Sequence, residues 1–251
     1  VNRRRVLAAV GGGCALPALW YAGRSPRRSI DVRFWLSERA ARHDGVGRRI
    51  ESYVGDALGE AFDDVTVSAG GVVGVDTEHG FRVTRSGEWP RLVGTELAAA
   101  RGLDPVDDVN LLVTDGPVDR TPAGAAVPHV ASAGGARHLG SVPAREAVDD
   151  VVPYTTRWRV VQLLLHEVGH ALGLDHDHGS IVGDAEATVA SPMISAYAWL
   201  DERAGHDRFD ADRSACGRTY PADRGGERRL SLSFSECAVA RLRSYDGGLL
   251  P

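Results

Sequence analysis

The sequence predicts an α+β domain built around one long, buried helix. Three observations predict it. Segments with period-two alternation and segments with helical spacing follow one another in the order strand, helix, strands, helix. The run Val160-Val161-Gln162-Leu163-Leu164-Leu165 is too apolar for a surface loop and suits a helix through the middle of a domain. Residues 29–251 fit one domain by length, and no internal repeat interrupts them.

Ile30 to Leu36 alternates and reads as a strand. Val46, Ile50, Val54, Leu58 and Phe62 recur at helical spacing and predict an amphipathic helix over 46–62. Val65 to Val75 reads as a second strand, broken by Gly70-Gly71. Leu92 to Arg101 predicts a short helix, and Val109 to Val113 a buried strand. Gly124 to Ala131 fits an edge strand with Pro128 at its margin. Leu200 to Arg229 is polar, without periodicity, and reads as a long loop or insertion. Ser233 to Tyr245 has capping residues and then helical spacing, which predicts a C-terminal helix.

Residues 166–176 read H-E-x-x-H-x-x-G-x-x-H. On a helix, positions i and i+4 share a face, so His166 and His170 can grip one ion from one side. Glu167 lies about 100° around from His166, outside the ligand shell but within reach of a water on the metal. Gly173 can take φ > 0 and end the helix, so the chain can reverse and deliver His176 as a third ligand. Three protein ligands leave a position open for water, as catalytic rather than structural zinc sites do.

This spacing resembles that of the metzincin zinc metallopeptidases, of the matrixin and adamalysin kind. The resemblance is sharp over residues 160–197 and architectural elsewhere. It implies a zincin-like fold with a mixed twisted sheet, a long active-site helix, a methionine turn and a closing C-terminal helix. The only methionine of the chain, Met193, lies seventeen residues after His176 in Ser191-Pro192-Met193-Ile194 and resembles that turn in content and distance. The resemblance assigns one catalytic Zn2+ to His166, His170 and His176, and the general base to Glu167. Calcium or a second zinc stays open. An upper subdomain over about 29–173, a lower one over about 174–251, and an antiparallel edge strand near 124–134 that pairs with substrate backbone are implied as well. Tyr197 is a candidate for oxyanion support, although it follows Met193 by four residues where the family has two, so a packing role stands beside that one. Asp177 after the third histidine resembles the adamalysin branch, in which it braces the turn. His178 reads as a solvated loop residue, and no propeptide cysteine of the matrixin type is present. The expected activity is a zinc-dependent endopeptidase acting on a polypeptide. The alternatives are a non-catalytic zinc-binding surface module on the same fold and a zinc hydrolase with another substrate.

Residues 1–28 read as an export signal of twin-arginine type or an N-terminal membrane anchor. The apolar stretch of about 17 residues is interrupted by Gly11-Gly12-Gly13 and is at the lower limit for a membrane span. Cys14 is a candidate lipidation site. All 29 basic residues are arginine, and six of them with no acid lie in residues 1–28, so the net −5 of the chain becomes −11 for the rest. An acidic, lysine-free domain is what a salt-adapted archaeon with a GC-rich genome would encode. It lacks the basic footprint of a nucleic-acid partner. With Cys14 assigned to the signal, Cys216 and Cys237 remain as a pair that an exported protein could bridge or leave as two buried thiols. His43, His79, His129, His138 and His206 are scattered, and of these His129 and His138 are the ones that could join a structural metal site. Oligomeric state is not encoded in any motif.

Overall fold

A computed structural model describes residues 26–119, 122–183, 186–194, 216 and 226–247. Cys14, Tyr197 and His206 lie outside them, as does most of the polar 200–229 stretch. Two mixed sheets carry the fold. The first has five strands in the order β2-β1-β3-β5-β4: β1 Ser29–Ser37, β2 Asp64–Val73, β3 Val109–Val113, β4 Gly124–Val127 and β5 Val130–Ala133. All neighbours are parallel except the edge strand β4, which runs antiparallel to β5. The second sheet has the order β6-β9-β8-β7: β6 Val151–Pro153, β7 Ile181–Gly183, β8 Ala187–Ala190 and β9 Glu227–Ser231. Among the described residues, seven α-helices accompany them: α1 Val46–Gly59, α2 Gly80–Arg85, α3 Glu88–Val93, α4 Thr95–Ala100, α5 Ala136–Gly140, α6 Thr156–Ala171 and α7 Glu236–Leu242. None of the helices described is long and apolar enough to cross a membrane.

Alternation along β1 divides the interior. Ile30, Val32 and Phe34 face the main core with α1 and α6, while Trp35 faces a second core with Trp89, Val83, Leu92 and Leu112. Trp35 meets Trp89 edge-on at 5.3 Å between ring centroids. α1 buries Val46, Ile50, Tyr53, Val54, Ala57 and Leu58, the stripe that its periodicity predicts. The helix stops at Gly59 rather than at Phe62, because the chain must turn to enter β2. Phe62 still reaches the core beside Tyr245.

Several expectations are corrected. β2 is not broken at Gly70-Gly71 but bulged, with the register against β1 shifting between Phe34 and Trp35. A side chain at Gly70 would occupy the volume of the Trp35 indole. The single helix expected over 92–101 is two, α3 and α4, separated by an extended Gly94. Gly124 to Ala131 is not one strand but the hairpin β4–β5. Pro128 and His129 form its turn, and His129 is the only non-glycine among the described residues with positive φ, at 66°. The loop expected over 200–229 gives its last residues, 227–229, to β9. The C-terminal helix is shorter than 233–245 and opens on Ser235, whose hydroxyl caps Ala238 N–H.

Candidate metal centre

α6 is the axis of the site. Gln162 is fully buried at its middle and donates from Nε2 to the carbonyl of Ala190 at 3.0 Å and to that of Ser231. These bonds fasten the helix to the ends of β8 and β9. Four residues on, His166 is buried, and His170 is half-buried one turn later. Gly173, at φ 84°, ends the helix. Leu174 N–H reaches back to Gly169 O at 2.9 Å, and Gly173 N–H to His170 O at 3.0 Å. That pair is a Schellman closure, and it satisfies two helix carbonyls while reversing the chain. A short 3-10 turn, His176–His178, follows. Asp175 caps it, and the His178 ring accepts the Asp175 N–H at 3.0 Å. His178 thereby braces the turn that presents His176 through an exposed hydrogen bond. Asp177 is half-buried in the same turn.

The turn brings three imidazoles to one point. His170 Nε2 lies 3.0 Å from His166 Nε2 and 3.1 Å from His176 Nε2. The opposite ring nitrogens fix which side holds the proton. His166 Nδ1 donates to Pro192 O at 2.9 Å, and His170 Nδ1 to Leu174 O at 2.7 Å. Both Nε2 atoms then carry lone pairs that face one another, an arrangement that a cation between them reconciles. Three nitrogens around a tetrahedral zinc at its usual bond length would stand about 3.3 Å apart, within a few tenths of an ångström of those found. The donor set fits that ion. Among the described residues, no other group of three histidine, cysteine or acidic side chains converges in this way. His43, His79, His129 and His138 are not part of it.

Burial lowers the His166 pKa well below its usual value, reinforced by His170 and His176, against the Pro192 hydrogen bond. Burial likewise lowers His170. Both are thereby held neutral, the form that binds metal. Glu167 is only 5% exposed, and burial pushes its carboxyl up to about 8. It packs against the backbone of β4 at Gly124.

Met193 is fully buried beneath the helix. A Cβ placed on Gly169 would lie 2.6 Å from its sulfur, so the methionine fills the space that Gly169 leaves open. The methionine segment is fixed at Ser191, whose hydroxyl accepts Ser180 N–H at 2.8 Å and whose own N–H donates to Ser180 O at 3.0 Å. Cys216 and Cys237 are joined as a disulfide at a Cα–Cα distance of 5.4 Å. It attaches residue 216 to the start of α7, where Ser235 also donates to His178 O.

Sequence reasoning missed Asp175, Gln162, Ser191, Ser235 and Gly124. Asp175 carries a signal, an N-cap residue three positions before a side chain able to reach back. Pro192 acts through its carbonyl, which any residue would supply.

Neither a protein-family model nor a curated protein matches the chain. Among solved structures, the chain is similar to archaemetzincin from Methanopyrus kandleri, with 20% identity, 85% of this chain and 94% of that one covered, and a TM-score of 0.41. It is also similar to myroilysin, with 13% identity, 91% and 98% covered, and a TM-score of 0.35.

Proposed function

We propose that the chain is a zinc-dependent endopeptidase of the metzincin type. The observation that carries this reading is the convergence of the His166, His170 and His176 Nε2 atoms, 3.0 and 3.1 Å apart, beside a buried glutamate. His166, His170 and His176 would hold one zinc ion, which supplies a Lewis acid that acidifies a water and polarises a peptide carbonyl. Glu167 accepts the proton of the attacking water and passes it to the departing amine. Burial pushes its carboxyl up to about 8, and a cation held by the three histidines would favour its ionised form. Met193 and the backbone of Pro192 hold the floor and the first ligand in place. Support of the oxyanion by Tyr197 belongs to the same proposal, as does division into an upper part over 29–173 and a lower part over 174–251.

A polypeptide lying along the antiparallel edge strand β4 is the substrate that suits this arrangement, because free strand edges bind extended chains through their backbone. Export is supported by the Cys216–Cys237 bridge, which belongs to oxidising surroundings. Attachment to a membrane through residues 1–28 is part of the same reading.

The test is metal analysis joined to cleavage of casein and a peptide library, with and without chelator. Zinc-dependent cleavage that Glu167→Ala abolishes, with the zinc retained, supports the peptidase. Bound zinc without cleavage of any peptide makes the chain a metal-binding module or a hydrolase of another substrate.

A further inference from the structure

Gly124 begins β4 and touches the side chain of Glu167. A Cβ at this position would stand 2.7 Å from Glu167 Cγ, 2.7 Å from its Oε1 and 2.8 Å from Ser132 O. Backbone conformation does not call for glycine here. Gly124 is not among the residues with positive φ, and it pairs regularly with Ala133 across the antiparallel ladder. Its neighbours Ala123, Ala125 and Ala126 all carry a methyl group. Glycine weakens a strand, and in a strand interior it marks close approach of another group. Two groups approach, the carboxyl arm of Glu167 and, on the paired strand, the carbonyl of Ser132. That arm cannot retreat, because it is buried on a helix fastened through Gln162 and His166.

We propose that Gly124 is a positioning residue for Glu167, its bare backbone forming the wall against which the carboxyl group is held. The catalytic consequence rests on the peptidase reading above, whereas the packing does not. A methyl group at 124 pushes the carboxyl aside without touching a histidine. Peptide cleavage should lose kcat while zinc content and KM stay as they are. A misplacement of about 1 Å costs about a hundredfold in rate.

The test uses the full chain with Gly124→Ala, Glu167→Ala and the double variant. Thermal unfolding of the metal-free proteins is the first measurement. Gly124→Ala should lower Tm by several degrees, and the Glu167→Ala background should remove the part of that loss that falls on the glutamate, leaving the part that falls on Ser132 O. Equal losses in both backgrounds overturn the proposal, since the methyl group would then be meeting the strand and not the glutamate. Should Gly124→Ala alone fail to fold, a folded double variant supports the proposal and an unfolded one overturns it. The second measurement is kcat, KM and bound zinc of Gly124→Ala. A fall in zinc content, or a rise in KM with kcat unchanged, also overturns it. An inactive parent protein would instead sink the peptidase reading, and the unfolding measurement would still decide the packing.

Discussion

His166 donates from Nδ1 to the carbonyl of Pro192 across 2.9 Å, so the first imidazole and the methionine segment hold each other. The bond puts the lone pair on Nε2 and turns it towards His170. A carbonyl partner of this kind fixes both the tautomer and the orientation of the ring.

Removal of Glu167 should separate binding from chemistry. Glu167→Gln keeps the shape of the side chain but cannot accept a proton. Peptide cleavage should fall by about 10²–10⁴-fold, the usual contribution of a general base. Zinc measured by elemental analysis should stay at the parent level. Unchanged turnover would remove Glu167 from the reaction.

Gly173→Ala tests the helix end. A φ of 84° strains an alanine, which should cost about 1 kcal/mol in denaturant unfolding. Because the same turn presents His176, zinc affinity should drop as well. Gly173→Asn should lose less of both, since asparagine tolerates this conformation. Equal losses for the two variants would count against the turn as the cause.

Zinc should stabilise the folded chain. At a thousandfold excess over Kd the gain is about 4 kcal/mol. His176→Ala, which leaves two of the three imidazoles, should abolish most of the shift in Tm. A variant that still responds in full to zinc would place the ion elsewhere.

Stability should fall in acid through Asp115. Burial works against its ionisation, but hydrogen bonds from Arg137 and His43 outweigh burial and hold its pKa below the usual value. Its folded pKa is therefore lower than the unfolded one near about 3.9. The stabilisation is present above that value and is lost as pH falls through the folded pKa. Asp115→Asn should be less stable than the parent at about pH 7, and the difference should shrink below about pH 4. Denaturant unfolding at a series of pH values measures it, and a difference independent of pH would refute the account.

Reduction of the Cys216–Cys237 bridge, which spans 21 positions, should lower stability by about 3 kcal/mol on the chain-entropy argument. Cys237→Ser should show the same loss and no further response to reductant. A reductant effect that survives in this variant would have another origin.

The three-histidine cluster is legible in the sequence because helical spacing is local: His166 and His170 share a face whatever surrounds them. The single turn from Gly173 to His176 is equally local. β1, β3 and α1 are legible through hydrophobic periodicity. The second sheet is not. Its strands are three to five residues long, and Glu227-Arg228-Arg229 shows no apolar alternation. β9 exists because β6 and β8, distant in the chain, offer it hydrogen bonds on both sides. The β4–β5 hairpin is hidden by His129, a residue that rarely adopts positive φ and does so here with support from Ala171 O, Asp108 O and Asn110. Gly124 looks like one more small residue among alanines until Glu167 is placed beside it.

His129 N–H ends on Ala171 O at 3.0 Å, the final residue of α6. Hairpin tip and helix terminus are thereby riveted together, and β4 cannot slide or lift relative to α6 without tearing that joint. The contact between Gly124 and Glu167 is held at a fixed spacing by the same joint.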